Sequence, residues 1–252
     1  MGRTAHLWNG RRYSGRVEVL AFVHGPLVGP GVFADAVAAR GHRLVEWSPP
    51  TEVAPARSPE EYGAVLVFGG AMHVDQEEQH PWLREEDAVL RRLLDAGTPM
   101  LGVCLGAQLL AKAADAQVEP AAEPEIGWYP LELTPAAEDD VVMSRLPRTF
   151  DAFQWHYYGF ELPDGADELG RSRSGLQAFR LGRAWAVQFH PEVTLSQVRG
   201  WLEEKEEVSL DRSALLRETE ERIGAWNELG RTLCDAFLQA AERVAPPAAQ
   251  RV

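Results

Sequence analysis

The sequence predicts an α/β protein with a mostly parallel central sheet flanked by helices. Between residues 17 and 114, compact apolar runs alternate with stretches of helical period. This is the grammar of a parallel sheet covered on both faces. Beyond residue 118 the pattern changes to strands with few helices between them. Those strands form either a small accessory sheet or the completion of the first layer.

Residues 1–16 are polar, basic and aperiodic, and are expected to lie outside the core. The apolar run 17–25 is the first strand and ends in Gly-Pro. Pro30 opens a helix over 31–40 and Gly41 closes it. Residues 42–47 make a second strand, and Pro49, Pro50 and Pro55 make 48–61 a surface connection. A third strand, 64–70, runs into Gly69 and Gly70. Trp82, Leu83, Val89, Leu90, Leu93 and Leu94 give 82–96 one apolar helical face, ended by Gly97. The fourth strand is 99–104, and a helix begins over 107–114. Later strands are expected at 126–133, 151–156, 176–179 and 183–189, and helices at 196–206 and 212–243. The division that follows is an extension (1–16), a catalytic domain (17–195) and a C-terminal helical extension (196–252) read as a solvated cover, its tail frayed.

Composition narrows the function. An apolar fraction of 45% is that of a globular chain. A net charge of −13 argues against nucleic acid or an anionic membrane surface as the main partner, since both select basic patches. Two cysteines cannot build a disulfide scaffold, and zinc-ligand spacings are absent, so no metal is expected. No run approaches the roughly 18 apolar residues needed to span a bilayer, and the N-terminus has no secretory apolar core. A cytoplasmic location is expected, and a reducing compartment would protect a reactive thiol.

Cys104 sits where the fourth strand meets the following helix, inside the segment GVCLGAQ at 102–108. A side chain on so sharp a turn is presented over the sheet edge, and crowding there explains glycine at 102 and 106. The helix N-terminus favours a thiolate. Its free N–H groups, with those of the Gly69-Gly70 turn, can hold a developing oxyanion. Cys234, inside RTLCDAFLQAA, reads as a small buried hydrophobe instead. Among seven histidines, His190 ends the strand AWAVQF and is followed by Pro191 and Glu192. Proline makes this a rigid turn, and Glu192 can curl back to hold one imidazole tautomer. Cysteine, histidine and carboxylate then make an activated nucleophile with its base and orienter. His6, His24, His42, His73 and His80 read as surface or loop residues. His156, at a strand end, either faces the cleft or is a satisfied structural histidine.

Together these segments resemble the class I (triad-type) glutamine amidotransferases, above all the amidotransferase domain of GMP synthase and its stand-alone relatives. The family pattern G-x-C-x-G-x-Q, then H-P-E, appears as Gly102, Cys104, Gly106, Gln108 and His190, Pro191, Glu192. The likeness extends through Phe68-Gly69-Gly70, Glu125-Ile126-Gly127-Trp128, Phe153-Gln154-Trp155-His156 and Leu176-Gln177-Ala178-Phe179. It implies a flavodoxin-like sheet with a small accessory sheet and no cofactor. The implied reaction is hydrolysis of the glutamine side-chain amide through a γ-glutamyl thioester on Cys104. The resemblance also assigns oxyanion donors to the Gly70 and Leu105 N–H groups and a substrate-binding role to Gln108.

Relatives often carry an acidic residue where this chain has Tyr158, so Tyr157 and Tyr158, with His156, are expected near a substrate pocket of altered shape. No G-x-x-x-x-G-K-[ST] loop occurs, so the chain alone is not expected to make GMP. Ammonia would then pass to a synthetase or other acceptor protein. The alternatives are a partner-independent hydrolase of γ-glutamyl amides, a non-catalytic regulatory protein on the same fold, and a thiol redox protein. Intact Cys104, His190 and Glu192 speak against the last two.

Overall fold

The computed structural model describes residues 17–51, 55, 57–204 and 210–243. Its strands are β1 (Glu18–Phe22), β2 (Arg43–Trp47), β3 (Ala64–Val67), β4 (Met100–Val103), β5 (Val118–Leu133), β6 (Thr149–Phe160), β7 (Asp167–Ser172), β8 (Gly175–Leu181) and β9 (Ala184–Val187). Its helices are α1 (Val32–Ala39), α2 (Trp82–Asp95), α3 (Leu105–Ala113), α4 (Pro135–Glu138), α5 (Leu195–Glu204) and α6 (Arg212–Glu242). The expected N-terminal extension and C-terminal tail lie outside the described residues.

The strands form one sheet in the order β2-β1-β3-β4-β9-β8-β7-β5-β6. Pairing is parallel from β2 to β9 and antiparallel from β9 to β6. The strands beyond residue 118 therefore complete the first layer instead of standing apart as an accessory sheet. Residues 167–172 carry no alternating apolar signal, and β7 was not legible for that reason. β5 and β6 are longer than their apolar segments because each pairs the other along most of its length.

Side-chain alternation sorts the interior into two cores. Val19 and Ala21 of β1 face the cluster that holds Phe33 of α1, Trp201 of α5 and Phe237 of α6. Leu20 and Phe22 face the cluster of Leu83 and Leu90 of α2 with Leu109 of α3. Residues 196–243, set apart in sequence, thus share a core with the sheet where they are described. His42 is buried as well, against expectation. Its Nδ1 accepts from Val17 N at 3.3 Å and its Nε2 bonds Glu242 Oε1 at 2.8 Å, tying β2 to the end of α6. Among the described residues, no helix is long and apolar enough to cross a membrane. None of them form a group of three His, Cys, Asp or Glu placed to hold a metal ion.

Candidate active site

Four parallel strands adjacent in the sheet, β1, β3, β4 and β9, end at the same edge. Just beyond those ends stand His24, Gly69-Gly70, Cys104 and His190. Parallel pairing of neighbours therefore brings together residues far apart in sequence, at the edge where open α/β sheets bind ligands.

Cys104 caps α3 with φ 53 and ψ −109, a conformation that L-residues rarely adopt. Its N–H donates to Val187 O at 2.9 Å, which anchors the elbow to β9. The flanking glycines are needed for space. A Cβ on Gly102 would lie 2.6 Å from Gly106 O, and one on Gly106 would lie 2.0 Å from Val67 O. Gly69 passes close to both reactive side chains: its Cβ would lie 3.1 Å from His190 Cε1 and 3.7 Å from Cys104 Cβ. A Cβ on Gly70 would lie 2.6 Å from Leu105 Cδ2, so the two residues expected to supply oxyanion donors are neighbours.

His190 Nδ1 bonds Glu192 Oε1 at 2.9 Å, both side chains being buried. With Nδ1 so engaged, Nε2 is left for the thiol. Burial alone would lower the His190 pKa. The charges of Cys104 and Glu192 and the hydrogen bonds with both outweigh burial and raise it to about 10. The imidazolium is thus the favoured form near neutrality.

The His190–Glu192 turn is braced from three sides. His190 N donates to Phe153 O of β6 at 2.9 Å. Val32 N, at the start of α1, donates to Glu192 O at 2.9 Å, and Gly31 is required there because its Cβ would lie 1.9 Å from that oxygen. From α6, the Trp226 indole donates to His190 O at 2.8 Å and Asn227 Nδ2 to Val193 O at 2.7 Å. Gly230 lets α6 approach so closely that its Cβ would fall 1.9 Å from Pro191 O. The C-terminal helices read as a solvated cover are therefore part of what positions His190.

A cavity of about 180 Å³ opens beside Cys104 and His190. Gly70, Leu27, Val28, Trp155, Trp201 and Glu204 are among the residues that line it, with His24 at its wall. Trp201 packs edge-on to His190 at 4.9 Å and to Trp155 at 5.6 Å, while its indole donates to Leu27 O at 2.8 Å.

The other expected residues do not line that cavity, although Gln108 N donates to Cys104 O at 3.0 Å. Gln108 is buried, and its Nε2 donates to Tyr158 O and Gln188 Oε1, each at 3.2 Å. His156 bonds buried Glu125 through Nε2 at 3.2 Å and Tyr158 O through Nδ1 at 3.0 Å, the arrangement of a satisfied structural histidine. It does not line the cavity beside Cys104, because alternation along β6 sends it to the face opposite Trp155. Tyr158 stacks on His73 at 4.1 Å and donates to Asp75 Oδ2 at 3.1 Å; Tyr157 meets His73 edge-on at 6.4 Å. Neither tyrosine lines that cavity. Cys234 is fully buried, and burial pushes its thiol pKa up, as an inert cysteine requires.

Sequence reasoning missed His24, Trp201 and Glu204. His24 is buried, not a surface residue, and it ends a strand just as Cys104 and His190 do, so the strand-end rule had the signal for it. Trp201 and Glu204 carry no such signal, because nothing local says which helix closes a site.

A thiol on an elbow beside a histidine–carboxylate pair is the equipment of a cysteine-dependent hydrolase. The chain belongs to the glutamine amidotransferase class-I family, whose profile matches residues 33–205. It is 31% identical over 170 residues to a GMP synthase [glutamine-hydrolyzing] of Aeropyrum pernix, a match covering 66% of this chain and 32% of the synthase. The chain thus spans about a third of that relative's length. It is 30% identical over 153 residues to a gamma-glutamyl-L-1-hydroxyisopropylamide hydrolase of a Pseudomonas species, covering 57% of this chain and 51% of that one. Its fold is similar to that of a glutamine amidotransferase of Thermotoga maritima, with a TM-score of 0.82, 30% identity, and coverage of 89% of this chain and 99% of the other.

Proposed function

We propose that this chain hydrolyses the side-chain amide of glutamine, or of a glutamine-like γ-glutamyl compound, through a thioester on Cys104. The observation that carries the proposal is the shared sheet edge. Cys104 is held at φ 53 beside His190, and His190 is bonded to buried Glu192 at 2.9 Å. The thiolate adds to the amide carbonyl, whose oxygen takes the negative charge and is met by the Gly70 and Leu105 N–H groups. As the tetrahedral carbon collapses, the C–N bond breaks and His190 gives its proton to the departing nitrogen. Neutral His190 then takes a proton from water, which attacks the thioester and releases glutamate and the Cys104 thiolate. Glu192 holds the imidazole tautomer and compensates its charge without itself transferring a proton.

In the leading reading, the ammonia passes to an acceptor on a partner protein. A second reading is a partner-independent hydrolase of γ-glutamyl amides. The cavity favours it, because the departing nitrogen leaves on the His190 side, where Leu27, Val28, Trp155 and Trp201 form an apolar wall. The name of the Pseudomonas relative supports the same reading. Ammonia and amine release by the purified chain, over glutamine, γ-glutamyl amides and unrelated carboxamides, tests both. A kcat/KM above ~10⁴ M⁻¹s⁻¹ on one γ-glutamyl compound with nothing else present selects the second. Slow turnover of glutamine that a partner accelerates selects the first. Absence of turnover on every amide, with or without added partners, overturns the proposal.

A further inference from the structure

His24 and Glu86 form a buried pair behind the Gly69-Gly70 turn, and the hydrolytic scheme above does not use them. Both side chains are wholly buried. His24 Nε2 lies 3.1 and 3.0 Å from the two Glu86 carboxylate oxygens. On the other side of the ring, Nδ1 lies 3.1 Å from Phe68 O and 3.0 Å from Gly69 O. Trp82 stacks on the imidazole, with ring centroids 5.4 Å apart and planes within 12°.

This geometry fixes where the protons are. Two carbonyl oxygens are acceptors, so Nδ1 must carry a hydrogen. One proton also lies between Nε2 and Glu86, whichever of the two owns it. Burial alone would lower the His24 pKa, but the Glu86 charge and hydrogen bond, helped by the two carbonyls, leave it raised above its ordinary value. Either placement of the shared proton leaves Nδ1–H donating to Gly69 O.

Gly69 O belongs to the same peptide unit as the Gly70 N–H. No described peptide bond is cis, and in a trans unit the C=O and N–H point in opposite directions. A C=O held against His24 therefore turns the Gly70 N–H away from that ring. Without such a hold, a Gly-Gly peptide can rotate at little cost, because neither residue has a Cβ to oppose it. The rotated peptide would aim a carbonyl oxygen where the oxyanion forms, replacing attraction by repulsion.

We infer that His24, oriented by Glu86, is a positioning residue that locks the Gly69-Gly70 peptide with its N–H facing the substrate oxyanion. The inference rests on the acyl-transfer reading of Cys104 and extends it to the pair behind the oxyanion turn. His24 acts on the reaction through that peptide.

The test compares wild type with two double variants, His24→Leu/Glu86→Gln and His24→Asn/Glu86→Gln. Glu86→Gln removes the charge that a lone buried carboxylate would leave. Two reactions of Cys104 are measured: turnover of the best amide in the panel, and alkylation by iodoacetamide, which develops no oxyanion on a carbonyl carbon. In the leucine variant, kcat should fall at least ~10-fold, within the range of a weakened oxyanion donor, with KM within about threefold. Asparagine places an amide N–H where Nδ1 was and should restore most of kcat. Alkylation should stay within about twofold in both. A folded leucine variant with kcat within about twofold of wild type overturns the inference. So does a loss that asparagine does not repair, or one matched by slower alkylation. Nitrogen-resolved NMR of the wild-type histidines keeps the idea testable if a variant does not fold: a protonated His24 Nδ1 supports it and an unprotonated one refutes it. Wild type inactive on every amide would instead sink the acyl-transfer reading itself.

Discussion

Gly230→Ala, forty residues from His190 and on a helix that sequence patterning marks as a cover, should damage the enzyme. The added Cβ would stand 1.9 Å from Pro191 O, a backbone atom that cannot swing aside. Ordinary carbon–oxygen contacts are about 3.3–3.6 Å, so α6 or the His190–Glu192 turn must move by more than ~1 Å. Moving α6 strains the Trp226 and Asn227 bonds that brace the turn, and moving the turn displaces His190 from Cys104. A misplacement of ~1 Å at reacting groups can cost about 10²-fold in rate. Overpacking costs about 1–3 kcal/mol, against which the helix propensity of alanine returns about 1 kcal/mol. Gly224 provides the control: it lies in the same helix, is exposed, and a Cβ there meets nothing within 4 Å. Gly224→Ala should gain about 0.5–1 kcal/mol and leave turnover unchanged. Steady-state kinetics and thermal denaturation of both variants decide the matter. A Gly230→Ala protein as stable and active as Gly224→Ala would refute the claim that α6 positions the histidine turn.

Further outcomes follow from the same geometry. Cys104→Ser should lower turnover at least ~10²-fold by replacing a thiol with a poorer nucleophile, whereas Cys234→Ala should shift Tm without changing kcat; steady-state kinetics and thermal denaturation check both. The His190 pKa is raised from 6.5 to about 10, so its stabilising contribution is fully present below about pH 6.5 and is lost as pH climbs through about 10. In the proposed mechanism that proton also goes to the leaving nitrogen, so the alkaline limb of kcat should fall near pH 10. Glu192→Gln should lower kcat with KM nearly unchanged and move the limb to lower pH, and an unmoved limb would count against Glu192 as the charge partner. Trp226→Phe keeps an aromatic side chain, though a smaller one, but removes the 2.8 Å indole bond to His190 O, and chemical denaturation should register a loss of about 1–3 kcal/mol.

The fold was legible where pattern is local. The apolar runs that became β1, β3, β4 and β9 are buried on both faces, and glycines at 102 and 106 announce the tight elbow around Cys104. β7 was hidden because its residues, DELGRS, alternate nothing. Contacts that depend on packing across the chain were illegible. Nothing near Trp226 or Gly230 says that they touch His190 and Pro191, and nothing near His24 says that Glu86 is its partner. The tyrosine pair was expected near a substrate pocket; Tyr158 instead stacks on His73, and neither tyrosine lines the cavity beside Cys104.

The central claim is that a γ-glutamyl group passes through Cys104. Acid-quenched samples taken during turnover of glutamine or a γ-glutamyl amide should carry that acyl group on the peptide containing Cys104 and nowhere else. The adduct should accumulate in Glu192→Gln if hydrolysis of the thioester slows more than its formation. Turnover of the same substrate by Cys104→Ala at the wild-type rate, or an acyl group mapped to Cys234, would contradict the account.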